Sequence, residues 1–253
     1  MKREWMTIIE HDKIARHTYR LVLKGEMVHR VKEPGQFVHI QVSKDFYLRR
    51  PVSISDIHVE SGTVTLLYKV MGKGTDAMTE KKVGEELDVL GPGGQGFPID
   101  EIETKQALLV GGGIGVPPLY YLAKQLNEKG IQVTSILGFQ SAEDAFLTDN
   151  FEALGDLYVT TNDGTLGHKG LVTDLFPHVQ GTFDTYFTCG PTVMLKAVAN
   201  ELSDIPGYIS MEERMGCGIG ACFACVVPSK DEKGYRRICC DGPVFDAKEV
   251  VLP

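Results

Sequence analysis

The 253-residue chain contains no apolar run approaching the roughly 18 residues of a membrane span. Its opening residues, Met1-Lys-Arg-Glu-Trp-Met-Thr-Ile-Ile-Glu, carry no apolar stretch resembling an export signal. A surplus of positive charge is also missing. The 26 Lys and Arg stand against 34 Asp and Glu, a net charge of −8, which argues against nucleic acid or an anionic membrane as main partner. No internal repeat and no low-complexity tract is present, and with 43% apolar and 24% charged residues the composition is that of a soluble globular protein. The length suits about two domains.

What the chain does have is a concentration of thiols. Of six cysteines, five lie between positions 217 and 240, as Cys217-Gly-Ile-Gly-Ala-Cys222-Phe-Ala-Cys225 and Cys239-Cys240. The first three are spaced C-x4-C-x2-C, with a further thiol about fourteen residues on, the spacing that plant-type ferredoxins use for a [2Fe–2S] cluster. Clustered thiols without an export signal favour metal ligation over disulfides, hence a reducing cytoplasm. Zinc is the competing occupant, but structural zinc sites usually present two separated Cys-x-x-Cys knuckles, and this chain has one. Gly216, Gly218 and Gly220 permit backbone to wrap closely around sulfur.

Three segments are expected, making an α+β multidomain chain. Residues 1–100 read as short alternating strands, such as Thr18-Tyr-Arg-Leu-Val-Leu and Gly62-Thr-Val-Thr-Leu-Leu-Tyr-Lys-Val, broken by Gly and Pro turns: a small antiparallel β-barrel. Residues 101–209 alternate apolar strands with helical spacing, a Rossmann-like parallel α/β domain. Residues 210–253 form a small cysteine module, which is too short to bury much apolar surface alone.

In the second segment Gln106-Ala-Leu-Leu-Val runs into Gly111, Gly112, Gly113 and Gly115 and then a helix, an arrangement that offers backbone N–H groups to a dinucleotide phosphate. Proline replaces the third fingerprint glycine at 118, and Pro117 and Pro118 fit a first helical turn. After the next strand, Glu143 and Asp144 form an acidic rim without a basic residue, which favours NAD over NADP.

The stretch Leu48-Arg49-Arg50-Pro51-Val52-Ser53-Ile54 resembles the Arg-x-Tyr-Ser/Thr signature of the ferredoxin–NADP reductase family. That resemblance implies a FAD-binding barrel followed by a nicotinamide domain. It places Arg50 on the flavin phosphates and Ser53 near flavin N5. Pro51 and Val52 lie against the ring, Val52 standing where many members carry a stacking tyrosine. Leu67, Tyr68 and Lys69, then Gly74 and Thr75, resemble the remaining flavin contacts, and Cys189 with Gly190 matches the Cys-Gly segment near the nicotinamide.

The run Glu213-Arg-Met-Gly-Cys-Gly-Ile-Gly-Ala-Cys-Phe-Ala-Cys, with Cys240-Asp-Gly-Pro-Val-Phe, narrows the resemblance. It is similar to the electron-transfer subunits of NAD-dependent (type B) dihydroorotate dehydrogenases, over essentially the whole chain. By that likeness Cys217, Cys222, Cys225 and Cys239 hold the cluster, with Cys240 in reserve for the fourth position. The implied path runs from an FMN-containing catalytic partner through [2Fe–2S] and FAD to NAD+, in pyrimidine (UMP) biosynthesis, within a heterotetramer of two of each subunit. No residue of this chain then acts as acid or base, because the partner carries the orotate chemistry. Two alternatives stay open: a reductase subunit of a hydrogenase or ferredoxin-dependent complex, and a nucleotide-binding regulator with structural zinc. Lys230, Lys233, Arg236 and Arg237 read as a solvated charged loop in preference to a docking contact.

Overall fold

A computed structural model describes residues 1–252. Strands β1 (Lys2–Ala15), β2 (Thr18–Lys24), β3 (Phe37–Gln41), β4 (Arg50–His58), β5 (Thr63–Lys69) and β6 (Glu86–Gly93) close a barrel in the order β1-β2-β5-β4-β3-β6. Every pairing in it is antiparallel. Alternation sends Leu21, Leu23, Ile40, Ile54, Leu66 and Val89 inward, all essentially inaccessible to water. Val52 belongs to this core as well, 7% exposed. A single-turn helix, α1 (Lys73–Met78), follows β5.

The second unit contains β7 (Gln106–Gly112), α2 (Val116–Glu128), β8 (Gln132–Phe139), α3 (Thr148–Glu152), β9 (Asp156–Thr161), β10 (His168–Lys169), β11 (Thr185–Cys189), α4 (Thr192–Glu201) and β12 (Gly207–Ser210). Ala107 to Val110 are wholly buried, as expected of a parallel strand covered on both faces. Helix α2 buries Leu119, Leu122, Ala123 and Leu126 at helical spacing; each leucine so buried contributes about 1.5–3 kcal/mol. Pro117 and Pro118 occupy its first turn, where a missing N–H leaves no helical bond unmade. The same helix leans on the barrel: Tyr121 joins the barrel core, and Lys124 Nζ lies 2.7 Å from Asp56 Oδ1.

The cysteine segment adds a hairpin, β13 (Val226–Pro228) with β14 (Tyr235–Arg237), and then β15 (Val244–Asp246). β15 leaves the cysteine segment and pairs antiparallel with β12, completing a sheet ordered β10-β9-β8-β7-β11-β12-β15. Val244 packs into the core of the α/β unit, and Phe245 packs with Phe37 of the barrel and Met215, Cys225 and Cys239 of the cysteine segment. The antiparallel barrel and the parallel sheet expected from the sequence are both present.

Candidate functional site

A cleft of about 780 Å³ opens where the barrel, the glycine turn and the cysteine segment meet. Its barrel wall comprises Arg50, Pro51, Val52 and Ser53 of β4, Leu67, Tyr68 and Lys69 of β5, and Gly74 and Thr75 of α1. Ile114, from the turn between β7 and α2, and residues 211–215 close the opposite side. Sequence reasoning missed Met211, Glu212 and Met215 as lining residues; their signal was position, directly ahead of Cys217.

The chain conformation at each position explains the wall. The Arg50 guanidinium lies across Gly74, where a Cβ would have to push it aside. Arg50 donates to the Leu48 carbonyl and stands 5.2 Å from the Phe46 ring centroid. The Thr75 hydroxyl is taken up by its own turn, accepting from the Met71 amide at 2.9 Å and donating to the Gly72 carbonyl at 3.0 Å. Tyr68 is 3% exposed and stacks on Tyr19 with centroids 5.6 Å apart. Its hydroxyl lies 2.8 Å from His11 Nε2, while His11 Nδ1 lies 2.8 Å from the Lys81 carbonyl. A carbonyl only accepts, so Nδ1 carries a proton, and Nε2 is left facing the Tyr68 hydroxyl. Burial pushes the Tyr68 phenol above its ordinary range.

Lys69 is held by an ion pair. Its Nζ lies 3.2 Å from Asp144 Oδ1, and Arg16 binds the same carboxylate. Burial opposes ionisation of Asp144, but hydrogen bonds from Arg16, Ser141 and Lys69 outweigh it and hold the carboxyl below its usual range. Of the acidic rim read from sequence, Asp144 therefore turns inward at 5% exposure, and Glu143 alone stays outside at 75%.

At the glycine turn, Gly111 stands opposite Cys189 in the β7–β11 register, and Gly190 lies against the Gly112 backbone. A Cβ at Gly115 would overlap the Cys189 carbonyl; Gly113 has open space but a φ of +52°. The structure brings the backbones of these residues together but not the Cys189 thiol, which is 0% exposed inside the core. Burial drives that thiol well above its ordinary pKa.

In the cysteine loop, backbone N–H groups aim at sulfur. Cys217 Sγ accepts from Ile219, Ala221 and Cys222 at 3.4, 3.2 and 3.3 Å, and Cys239 Sγ accepts from Gly220 at 3.2 Å. Burial opposes the Cys217 thiolate, yet these amides and the Cys222 thiol bring Cys217 down to about 7. Gly218 and Gly220, at φ +71° and +79°, make the turn possible. The thiols stand as two pairs, Cys217 with Cys222 and Cys225 with Cys239, and Cys239 touches Cys240 as well. Among the described residues no three His, Cys, Asp or Glu side chains stand placed to hold one metal ion. Two thiol pairs with sulfur-directed amides fit a two-iron group, in which each iron takes two thiolates. Cys240 also lies against this loop, its thiol beside Cys239 and Gly220, and it reaches Asp241 Oδ1 at 3.7 Å, next to the Arg237 guanidinium that grips this carboxylate.

Among the described residues no helix is long and apolar enough to cross a membrane. Residues 212–251 match the family model for the iron–sulfur cluster binding domain of dihydroorotate dehydrogenase B. Over 257 residues, and all of both chains, the protein is 52% identical to the dihydroorotate dehydrogenase B (NAD(+)) electron transfer subunit of Geobacillus sp. (strain WCH70). It is 50% identical to that of Bacillus pumilus (strain SAFR-032), covering 100% of this chain and 99% of the relative. Among solved structures, an NADH-dependent reduced ferredoxin–NADP oxidoreductase, a flavin-based bifurcating enzyme, superposes with a TM-score of 0.88 at 34% identity, covering 98% of this chain and 90% of that one. The cytochrome b5 reductase domain of Ulva prolifera nitrate reductase shares the fold, with a TM-score of 0.66 at 19% identity over 80% of this chain and 93% of that domain. With a full-length likeness of this strength and its cysteine segment matched by the family's own model, the chain belongs to the electron transfer subunits of dihydroorotate dehydrogenase B.

Proposed function

We propose that the protein carries electrons from a dihydroorotate-oxidising catalytic subunit through a [2Fe–2S] cluster and FAD to NAD+. The observation that carries this reading is that one cleft is walled by three units: Ser53 of the barrel, Ile114 of the glycine turn, and the segment running into Cys217. A flavin supplies the exchange between paired electrons at a nicotinamide and single electrons at a cluster.

Around it each residue has a defined task. Arg50 and the backbone of the Gly74–Thr75 turn neutralise and orient the flavin diphosphate. Pro51, Val52 and Leu67 give apolar surface to the ring, Tyr68 gives an aromatic one, and Lys69, held by Asp144, keeps a positive charge at the cleft edge. The Ser53 hydroxyl is the hydrogen-bonding group at the reactive edge. Gly111, Gly112, Gly113, Gly115 and Gly190 let the NAD phosphates and nicotinamide approach bare backbone. Cys189 acts through its backbone, its sealed thiol keeping the β11 turn packed. Cys217, Cys222, Cys225 and Cys239 hold the iron.

The partner is an FMN-containing catalytic subunit, two of each chain forming a heterotetramer that serves UMP synthesis in the cytoplasm. Ile219, Phe223 and Tyr235 surround the cysteine loop at 59%, 50% and 40% exposure, an apolar patch suited to that partner. A second reading, a reductase subunit of a ferredoxin-linked complex, is favoured by the likeness to the bifurcating oxidoreductase.

Co-purification with the catalytic subunit, followed by dihydroorotate-dependent NAD+ reduction, separates the two. Reduction that needs both chains supports the first reading. Capture of a different redox subunit, with no orotate formed, supports the second.

A further inference from the structure

One buried polar group stands between the flavin wall and the cysteine loop, and no role assigned above uses it. His39 on β3 is 0% exposed and pairs in register with Pro51, while Phe37, on the same face of β3, pairs with Ser53. That face of the barrel therefore carries the imidazole beside the residues of the flavin wall. On its other side the ring meets the cysteine segment. His39 Nε2 lies 3.3 Å from Met215 Sδ, and a Cβ on Gly218 would stand 2.5 Å from Nδ1.

Nδ1 itself has no hydrogen-bond partner. A thioether sulfur only accepts, so Nε2 holds the proton and Nδ1 presents a bare lone pair towards the Gly218 step. Burial, reinforced by the Arg49 charge, lowers His39 to about 4, and the ring is neutral at physiological pH. A leucine would fill this space without leaving a buried polar atom unmatched. Gly218 complements the ring: its φ is +71°, and a Cβ there would meet the imidazole.

We propose that His39 is a positioning residue for the iron–sulfur group, a buried ring that fixes the Cys217–Gly218 step against the flavin-bearing face, with Nδ1 turned to Gly218 and Nε2 held by Met215. This rests on the cluster assignment made under the proposed function. Together with Phe37, this ring is where the barrel strand meets the cysteine segment, so it helps set how far the two redox sites stand apart.

The test uses anaerobically purified protein in complex with its catalytic partner. Iron per chain, the rate of iron loss to a chelator, and the cluster midpoint potential by EPR-monitored titration are measured. His39→Leu should keep FAD, lose iron to chelator about 10- to 100-fold faster, and move the midpoint potential. His39→Asn, which restores a polar atom near Nδ1, should recover chelator resistance. Gly218→Ala should lose iron, and His39→Ala in the same chain should restore part of it, the non-additivity expected of residues in contact. Wild-type iron retention and potential in His39→Leu, or equal damage from Gly218→Ala with and without His39, overturns the proposal alone. Wild-type protein that binds no iron brings down the cluster assignment and this proposal with it.

Discussion

Lys69 and Asp144 meet across the boundary between the barrel and the α/β unit, Nζ to Oδ1 at 3.2 Å, with Arg16 closing on the same carboxylate. Two barrel cations thus converge on one carboxylate that is only 5% exposed. Removing it leaves Lys69 without a partner and Arg16 with Glu143 alone, at 3.5 Å.

Asp144→Asn is expected to destabilise the protein by about 1–2 kcal/mol, modest because Arg16 remains partly solvated and screened. The pH dependence follows from the depressed carboxyl pKa. A group whose folded pKa lies below its unfolded value stabilises above the unfolded value, about 3.9, and loses that contribution as pH falls through the folded one. Melting curves of wild type and Asp144→Asn should therefore differ at pH 7 and converge below about pH 4. A constant offset across this range would mean that the ion pairs contribute nothing.

Gly115→Ala and Gly113→Ala separate crowding from backbone strain. At 115 the new methyl meets the Cys189 backbone, which cannot swing aside. Overpacking there is expected to cost about 1–3 kcal/mol and to raise the KM for NADH in flavin reduction. At 113 space is open and only the φ of +52° resists, so the cost is about 1 kcal/mol and NADH binding changes less. NADH titrations of flavin absorbance in both variants distinguish the two.

These positions also show what a sequence can disclose. The cysteine spacing and the glycine turn are local patterns, in which a few adjacent residues fix the geometry, and both were legible. So were β2 and β5, whose β-branched, leucine and tyrosine runs lie between polar and glycine turns. β1 was not, because Lys2-Arg-Glu-Trp begins with charge and its register shifts between Ile8 and Glu10. The Lys69–Asp144 pair joins residues 75 positions apart, and nothing near Asp144 in sequence announces that its carboxylate faces inward. The seal over the Cys189 thiol is likewise made by distant apolar residues.

Cys239→Ser is expected to lose iron, because Cys239 Sγ accepts the Gly220 amide within the loop and pairs with Cys225. Cys240→Ser should retain it, since that thiol, although beside Cys239, is engaged with Asp241. Iron per chain and visible absorbance check this; the reverse pattern would move the fourth ligand by one residue.

Tyr68→Phe removes the hydrogen bond to His11 and keeps the ring. A stability loss of about 0.5–1.5 kcal/mol is expected, with FAD retained. Tyr68→Ala also removes the aromatic surface and should weaken FAD binding severalfold. Flavin retained after gel filtration reads the difference, and equal retention in both variants would remove Tyr68 from the flavin wall.

The return of the chain as β15 bears on how the protein is put together. β12 ends at Ser210, opposite Val244 of β15, and the Met211 amide donates to the Pro243 carbonyl at 2.9 Å. The whole cysteine segment is consequently an excursion with both feet planted on adjoining strands, fastened by main-chain bonds that need no sulfur. Such a tethered loop has its closure entropy already met by the sheet. Biogenesis can then run in two stages: the polypeptide completes its sheet first, and iron is delivered afterwards to an anchored loop.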